Sequence, residues 1–347
     1  MKALVLTESR QFELKDVPQP VPGPGDVLIR IAGCGICGSD VHGYDGSSGR
    51  RIPPLIMGHE AAGIVASAGA GATRFQRGDR VTFDSTVYCG ACSFCLRGEV
   101  NLCDRREVIG VACSDFRRDG AFAEYLVVPE RIVYPLPASM SFAEAAMLEA
   151  VSVALHAVRV SQIRGGETAV VVGAGMIGLL TLQAAFAAGC ARVYIADLDD
   201  TRLRLADSLG ATGTLRVEDL VSEIQQLTGE TGADIAFEAV GRNESIGAAI
   251  DCVRKGGTVT LIGNVVPKVD LPLQKVVTRQ IRLQGTAASA GEYPQAIDLV
   301  TSGKVQVKPL ITAIASLADG PDWFDRLYRH EPNLMKIVLA ANADLMA

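Results

Sequence analysis

The sequence predicts an α/β chain in which a doubly wound parallel sheet follows a β-rich first half. Three observations carry this. From about Ser152 onward, short β-branched runs alternate with helix-forming stretches, the rhythm of a parallel sheet with helices on both faces. A glycine-rich turn, Gly173-Ala-Gly-Met-Ile-Gly178, joins one such strand to one such helix. Before Ser152 the chain reads instead as short strands cut by clusters such as Pro18-Gln-Pro-Val-Pro-Gly-Pro24.

In the first half, strands are expected at residues 2–6, 12–17, 26–31, 63–66, 80–83 and 124–128, forming a barrel or sandwich. In the second half, strands at 169–172, 193–196, 235–237 and 258–262 alternate with helices at 176–188, 201–209 and 246–253. The tail holds helices at 294–301 and 321–329 and a closing strand at 335–339. Residues 168–191 carry no charge and are long enough to reach across a bilayer. Their three glycines mark a strand-to-helix turn better than a membrane span.

A length of 347 residues suits about two domains. Hydrophobic residues at 48% against 21% charged exclude a disordered chain. The net charge of −6 lacks the basic excess that nucleic-acid binding needs. Nine cysteines, an odd number, follow an N-terminus without an apolar signal core, which points to a cytoplasmic protein with no membrane partner and no disulfide framework.

Three constellations carry chemistry. In the first, Gly173, Gly175, Met176, Ile177 and Gly178 open a helix after a strand, where backbone N–H groups and the helix dipole hold a pyrophosphate. The next strand ends in Asp197, about 20 residues on, placed to accept hydrogen bonds from ribose hydroxyls. This is the Rossmann pattern. A carboxylate there repels a 2′-phosphate and favours NAD, although Arg202 keeps NADP open as a second reading. Ile262, Gly263 and Asn264, just past a strand end, are expected to line the same crevice.

The second is Cys89-x2-Cys92-x2-Cys95-x7-Cys103, the spacing of a closed tetrahedral zinc site. Two local disulfides or an iron–sulfur cluster are the alternatives. The third is dispersed: Cys37, the pair His59-Glu60, and Glu149 far downstream, a thiol, an imidazole and carboxylates able to bind zinc with one position open. By spacing alone this set is weak, and Cys34 with Cys37 also reads as a redox C-x-x-C pair.

Gly35-Ile-Cys-Gly-Ser-Asp-Val-His42, Gly58-His-Glu-Ala-Ala-Gly63, the four-cysteine stretch, Gly120-Ala-Phe-Ala-Glu-Tyr125 and Val171-Val-Gly-Ala-Gly-Met-Ile-Gly-Leu179 resemble the medium-chain zinc-dependent alcohol dehydrogenases. The motifs run in family order from Lys2 to about Leu339. Glu60 directly after His59, and Leu148-Glu-Ala-Val-Ser-Val153, narrow the likeness to the polyol dehydrogenases, of the sorbitol or galactitol-1-phosphate type.

The resemblance implies a discontinuous GroES-like catalytic domain, residues 1–152 and 290–347, around an NAD-binding domain, residues 153–289. It implies two zinc ions per chain. The catalytic one is held by Cys37, His59 and either Glu60 or Glu149, and the structural one by the four cysteines. Ser39 and His42 would relay a hydroxyl proton to water, and the family implies a homodimer or homotetramer. The implied reaction oxidises a secondary hydroxyl of a polyol, sugar alcohol or its phosphate. Simple secondary alcohols, diols or L-threonine are alternative substrates, and a non-catalytic zinc-ribbon module is an alternative of another class. Two departures stand out: Ala288 and Ser289 occupy the place of the Arg-Tyr pair common in polyol dehydrogenases, and Gly43 that of a tyrosine after His42.

Overall fold

The strand Asp26–Gly35 is the spine of the first of two units into which the chain divides in the computed structural model, which describes residues 1–346. Its run Val27-Leu-Ile29 is wholly buried, so the strand must be covered on both faces. It pairs antiparallel with Glu60–Ala68 and Tyr125–Pro129, and at its far end with Lys336–Ala340 from the tail. Arg80–Phe83 and Val133–Pro135 extend this seven-stranded sheet on one side, and Ile311–Ser316 ends it on the other. A smaller sheet joins Gln11–Asp16, Lys2–Glu8 and Leu55–Ile56. Phe12, Tyr44 and Phe324 close the core between them, with ring centroids 4.6–5.4 Å apart. This unit spans Met1–Glu149, Ser289–Thr301 and the chain from Val307 onward.

The second unit, Ala150–Ala288 with Ser302–Gln306, is built on six parallel strands. In space their order is Gly213–Arg216, Arg192–Asp197, Thr168–Val172, Ala233–Glu238, Val253–Leu261, Arg282–Gly285. In chain order this is 3-2-1-4-5-6, the doubly wound arrangement. The uncharged stretch resolves into the buried strand Thr168–Val172 and the helix Met176–Ala187, buried continuously from Gly178 to Ala185. Among the described residues no helix is long and apolar enough to cross a membrane.

Some elements differ from the sequence reading. Leu220–Leu227 is a helix, because Leu220 and Ile224, one turn apart, supply the buried stripe that holds it. Ile311–Ser316 is a strand, paired in parallel with Lys336–Ala340. Ser302–Gln306, expected with the tail, belongs to the second unit. There the Gln183 amide brackets Gln306: Nε2 donates to its carbonyl at 3.2 Å, and Oε1 accepts from its N–H at 2.6 Å.

Candidate active site

Antiparallel register puts Glu60, the first residue of its strand, opposite Gly35, and the chain leaving Gly35 reaches Cys37 two residues later. Cys37 caps the helix Gly38–Gly43, and His59 immediately precedes Glu60. The thiol of Cys37, the imidazole of His59 and a carboxylate oxygen of Glu60 thereby offer three ligand atoms within 4.8 Å of one another. His59 and Glu60 are buried, and Cys37 is half-buried.

Two charged side chains that sequence reasoning did not single out complete the group. Glu60 Oε2 accepts from Lys336 Nζ, which also donates to the Ile36 carbonyl at 3.1 Å. Asp40, fully buried, lies with Oδ2 3.4 Å from His59 Nδ1. Burial alone would raise the Asp40 pKa, but His59 and Arg51 outweigh it and hold the carboxyl well below its usual range. One signal for Lys336 was available: it is the sole charge in the closing strand Lys336-Ile-Val-Leu-Ala340.

Glu149, offered by the sequence as a possible ligand, stands outside the three-donor group. It sits in the first turn of Leu148–Val160, and its Oε1 accepts from Ser85 Oγ at 3.3 Å. Burial pushes its carboxyl up to about 7. Asp84 is likewise raised by burial, to about 6, while accepting from Thr86 N–H at 2.8 Å and from Ser289 Oγ at 3.3 Å. Ser289 is therefore an interior partner of an acid. Ser39 donates to Cys37 Sγ at 3.3 Å, and His42 lies three residues on, one helical turn away, both exposed. His156 is buried on its helix with Arg159 3.0 Å from Nδ1.

The four cysteines close a separate group, each Sγ within 4.8 Å of the others. Cys89 to Cys95 is 3.9 Å and Cys92 to Cys95 is 3.5 Å. A disulfide needs about 2.05 Å, whereas a tetrahedron with zinc–sulfur bonds of about 2.3 Å has edges of about 3.8 Å. The N–H groups of Ala91 and Cys92 donate to Cys89 Sγ at 3.4 and 3.3 Å and hold its thiol down to about 5.

In the second unit the glycine turn leaves the carboxyl end of Thr168–Val172, and Gly175 caps the helix Met176–Ala187. A Cβ on Gly178 would fall 1.8 Å from the Gly173 carbonyl oxygen, so only glycine lets the helix approach its own turn. A Cβ on Gly175 would meet nothing within 4 Å, which leaves the helix N-terminus open. Asp197 ends the neighbouring strand, accepting from Ala174 N–H at 2.6 Å and Asp199 N–H at 3.0 Å. Arg202 lies exposed on the next helix, 3.9 Å from Asp199. Ile262 and Gly263 donate to the Glu238 carbonyl at 2.8 and 2.9 Å, so they and Asn264 follow the carboxyl ends of adjacent strands.

Comparison with known proteins agrees. Residues 23–138 match the family model "Alcohol dehydrogenase GroES-like domain", and residues 177–302 match "Zinc-binding dehydrogenase". Sorbitol dehydrogenase of Bacillus subtilis is 33% identical over 351 residues, covering 99% of this chain and 98% of the relative. The solved galactitol-1-phosphate dehydrogenase of Escherichia coli superposes with a TM-score of 0.90 at 27% identity, covering 98% of this chain and 100% of that one. A zinc-binding dehydrogenase of Sinorhizobium meliloti 1021, solved with NADP bound, gives 0.88 at 31%, with 98% of both chains covered. The chain therefore belongs to the zinc-dependent medium-chain dehydrogenases, as an oxidoreductase of the zinc-type polyol dehydrogenase family acting on a small molecule.

Proposed function

We propose that this chain oxidises a secondary hydroxyl of a polyol, sugar alcohol or its phosphate to a ketone, reversibly, with hydride transfer to NAD. The observation that carries the reading is the three-donor group of Cys37, His59 and Glu60. A soft thiolate, an imidazole and a carboxylate are a zinc donor set, and three protein ligands leave one position for substrate. The fit is supported by His59 Nδ1, which has no hydrogen-bond partner of good geometry but faces Asp40, the arrangement that leaves Nε2 for a metal.

Bound zinc supplies Lewis acidity that lowers a hydroxyl pKa toward neutrality, and bound NAD supplies the hydride acceptor. The chain's own residues do the rest. Cys37, His59 and Glu60 hold the ion, Lys336 balances the Glu60 charge, and Asp40 orients the imidazole. Ser39, beside the thiol, takes the hydroxyl proton and passes it toward His42 and water. The four cysteines hold a second zinc that keeps their lobe folded.

NAD is the favoured cofactor because Asp197 ends the second strand, where a carboxylate repels a 2′-phosphate. Asp197→Ala should weaken NAD more than NADP, and an unchanged ratio of their KM values counts against the contact. Simple secondary alcohols or diols are the second substrate reading, favoured by Ala288, Ser289 and Gly43 where polyol-contacting side chains are usual. A panel of sugar alcohols, their phosphates, diols and L-threonine, read by NADH absorbance, separates these. Failure to oxidise any of them counts against these substrate classes. A homo-oligomer is part of the proposal, since Arg282–Gly285 ends its sheet with one edge unpaired among the described residues; light scattering tests it. So is a cytoplasmic location, in keeping with nine cysteines of which none is in a disulfide.

A further inference from the structure

Gly43 breaks the expected pattern by omitting a bulky ring, and the structure gives that omission an occupant. A Cβ at residue 43 would sit 2.5 Å from Arg51 Cγ and 3.0 Å from Ser48 Oγ. The space a side chain would take is filled by the stem of Arg51, which is only 5% exposed. An arginine is seldom buried without a partner that repays its desolvation.

Its partner is Asp40. Arg51 Nε donates to Asp40 Oδ1 at 3.1 Å, and an η-nitrogen donates to the same oxygen at 2.8 Å. That nitrogen also reaches Ser39 Oγ at 3.4 Å, and the other η-nitrogen donates to the Arg50 carbonyl at 3.0 Å. With Oδ1 taken up by the guanidinium, Oδ2 is left facing His59 Nδ1 and the Cys37 N–H, each 3.4 Å away. A carboxylate can rotate about its last bond, and a two-donor fork on one oxygen removes that freedom.

We infer that Arg51, given room by Gly43, is a positioning residue for the metal site: it fixes the Asp40 carboxylate so that Oδ2 orients His59 and thereby sets how firmly the ion is held. The inference rests on the reading that Cys37, His59 and Glu60 hold zinc. Loss of an outer carboxylate partner commonly weakens a metal site by about 10–100-fold, and Arg51 acts one step further out.

The test uses zinc release from the intact protein into a chromogenic chelator, with the zinc of the four-cysteine lobe as internal control. Arg51→Met should speed release from the Cys37 site by about 10-fold and leave release from the lobe unchanged. Arg51→Lys, which keeps the charge without the fork, should recover part of the difference. Gly43→Ala removes no polar group and presses first on Arg51, whose Cγ is nearer than Ser48 Oγ, so it should shift release in the same direction by less, even if Arg51→Met fails to fold. Cobalt placed in the Cys37 site should show an altered visible spectrum in all three variants. Release and spectrum unchanged in Gly43→Ala and Arg51→Lys would overturn the inference, as would both zinc ions leaving together at a faster rate. A wild-type protein holding one zinc, in the lobe alone, overturns the metal-site reading itself and the inference with it.

Discussion

The four-cysteine lobe and the Cys37–His59–Glu60 group offer metal-ligand donors in the same unit by opposite means. The lobe takes all its donors from one stretch, Cys89 to Cys103, and quiets their charge with backbone N–H groups of the same turns. Only Cys103 and Asn101 are buried there, so it has little core of its own. The other group draws its three donors from two places, Cys37 and the adjacent pair His59-Glu60, and surrounds them with buried ion pairs. One pair, Lys336 with Glu60, joins residues 276 apart in the chain. A site that merely grips an ion is satisfied by local chain geometry. A dry site that leaves a position open must balance each buried charge with another, and those partners have to come from wherever the fold supplies them.

The largest expected separation between the two is chemical. Cys37→Ser should cut turnover by about 10³-fold or more, since the Lewis acid contributes several kcal/mol, with nucleotide binding and the lobe's metal retained. Near-normal turnover would place the chemistry elsewhere. Cys92→Ser should do the reverse, lowering the unfolding midpoint by about 5 °C or more and exposing residues 89–103 to protease while the folded fraction keeps its turnover. An unchanged midpoint with one zinc lost would show that the lobe needs no metal.

The third contrast is pH. Asp84, near Glu149, is raised by burial to about 6 from an ordinary 3.8. The folded state thus holds a proton that the unfolded chain gives up between those values, so this group's stabilising effect is complete below pH 3.8 and is lost as pH rises through 6. Asp84→Asn should flatten that fall, which is on the order of 2–3 kcal/mol. Urea melts at pH 4 and pH 7 measure it, and an equal slope in both proteins removes Asp84 as its cause.

The smallest contrast comes from two glycines. A Cβ on Gly35 would lie 2.5 Å from Glu60 Oε2 and 3.3 Å from Lys336 Cδ, so Gly35→Ala should cost about 1–3 kcal/mol by overpacking. Gly98, in the lobe, has φ +80° and open space around its Cβ position, so Gly98→Ala should cost about 1 kcal/mol through its backbone alone. Gly35→Ala should also speed release of the neighbouring zinc. Equal, purely thermal effects of the two substitutions would erase the distinction.

Much of this molecule was legible before any coordinates. The glycine turn, the acid at the next strand end and the cysteine spacing are chemistry written in consecutive residues, each governed by interactions within a few turns of chain. The alternating runs likewise set the class of both units, because period and composition decide which face a segment can bury. What the sequence could not decide was pairing at a distance. Whether Glu60 or Glu149 joins Cys37 and His59 depended on the register that sets Glu60 opposite Gly35. That a lysine from the last strand meets Glu60, and that Arg51 fills the space at Gly43 to hold Asp40, depended on packing. Local geometry needs only neighbours in sequence, whereas a buried charge needs a partner in space, and only the closed tertiary structure says which one arrives.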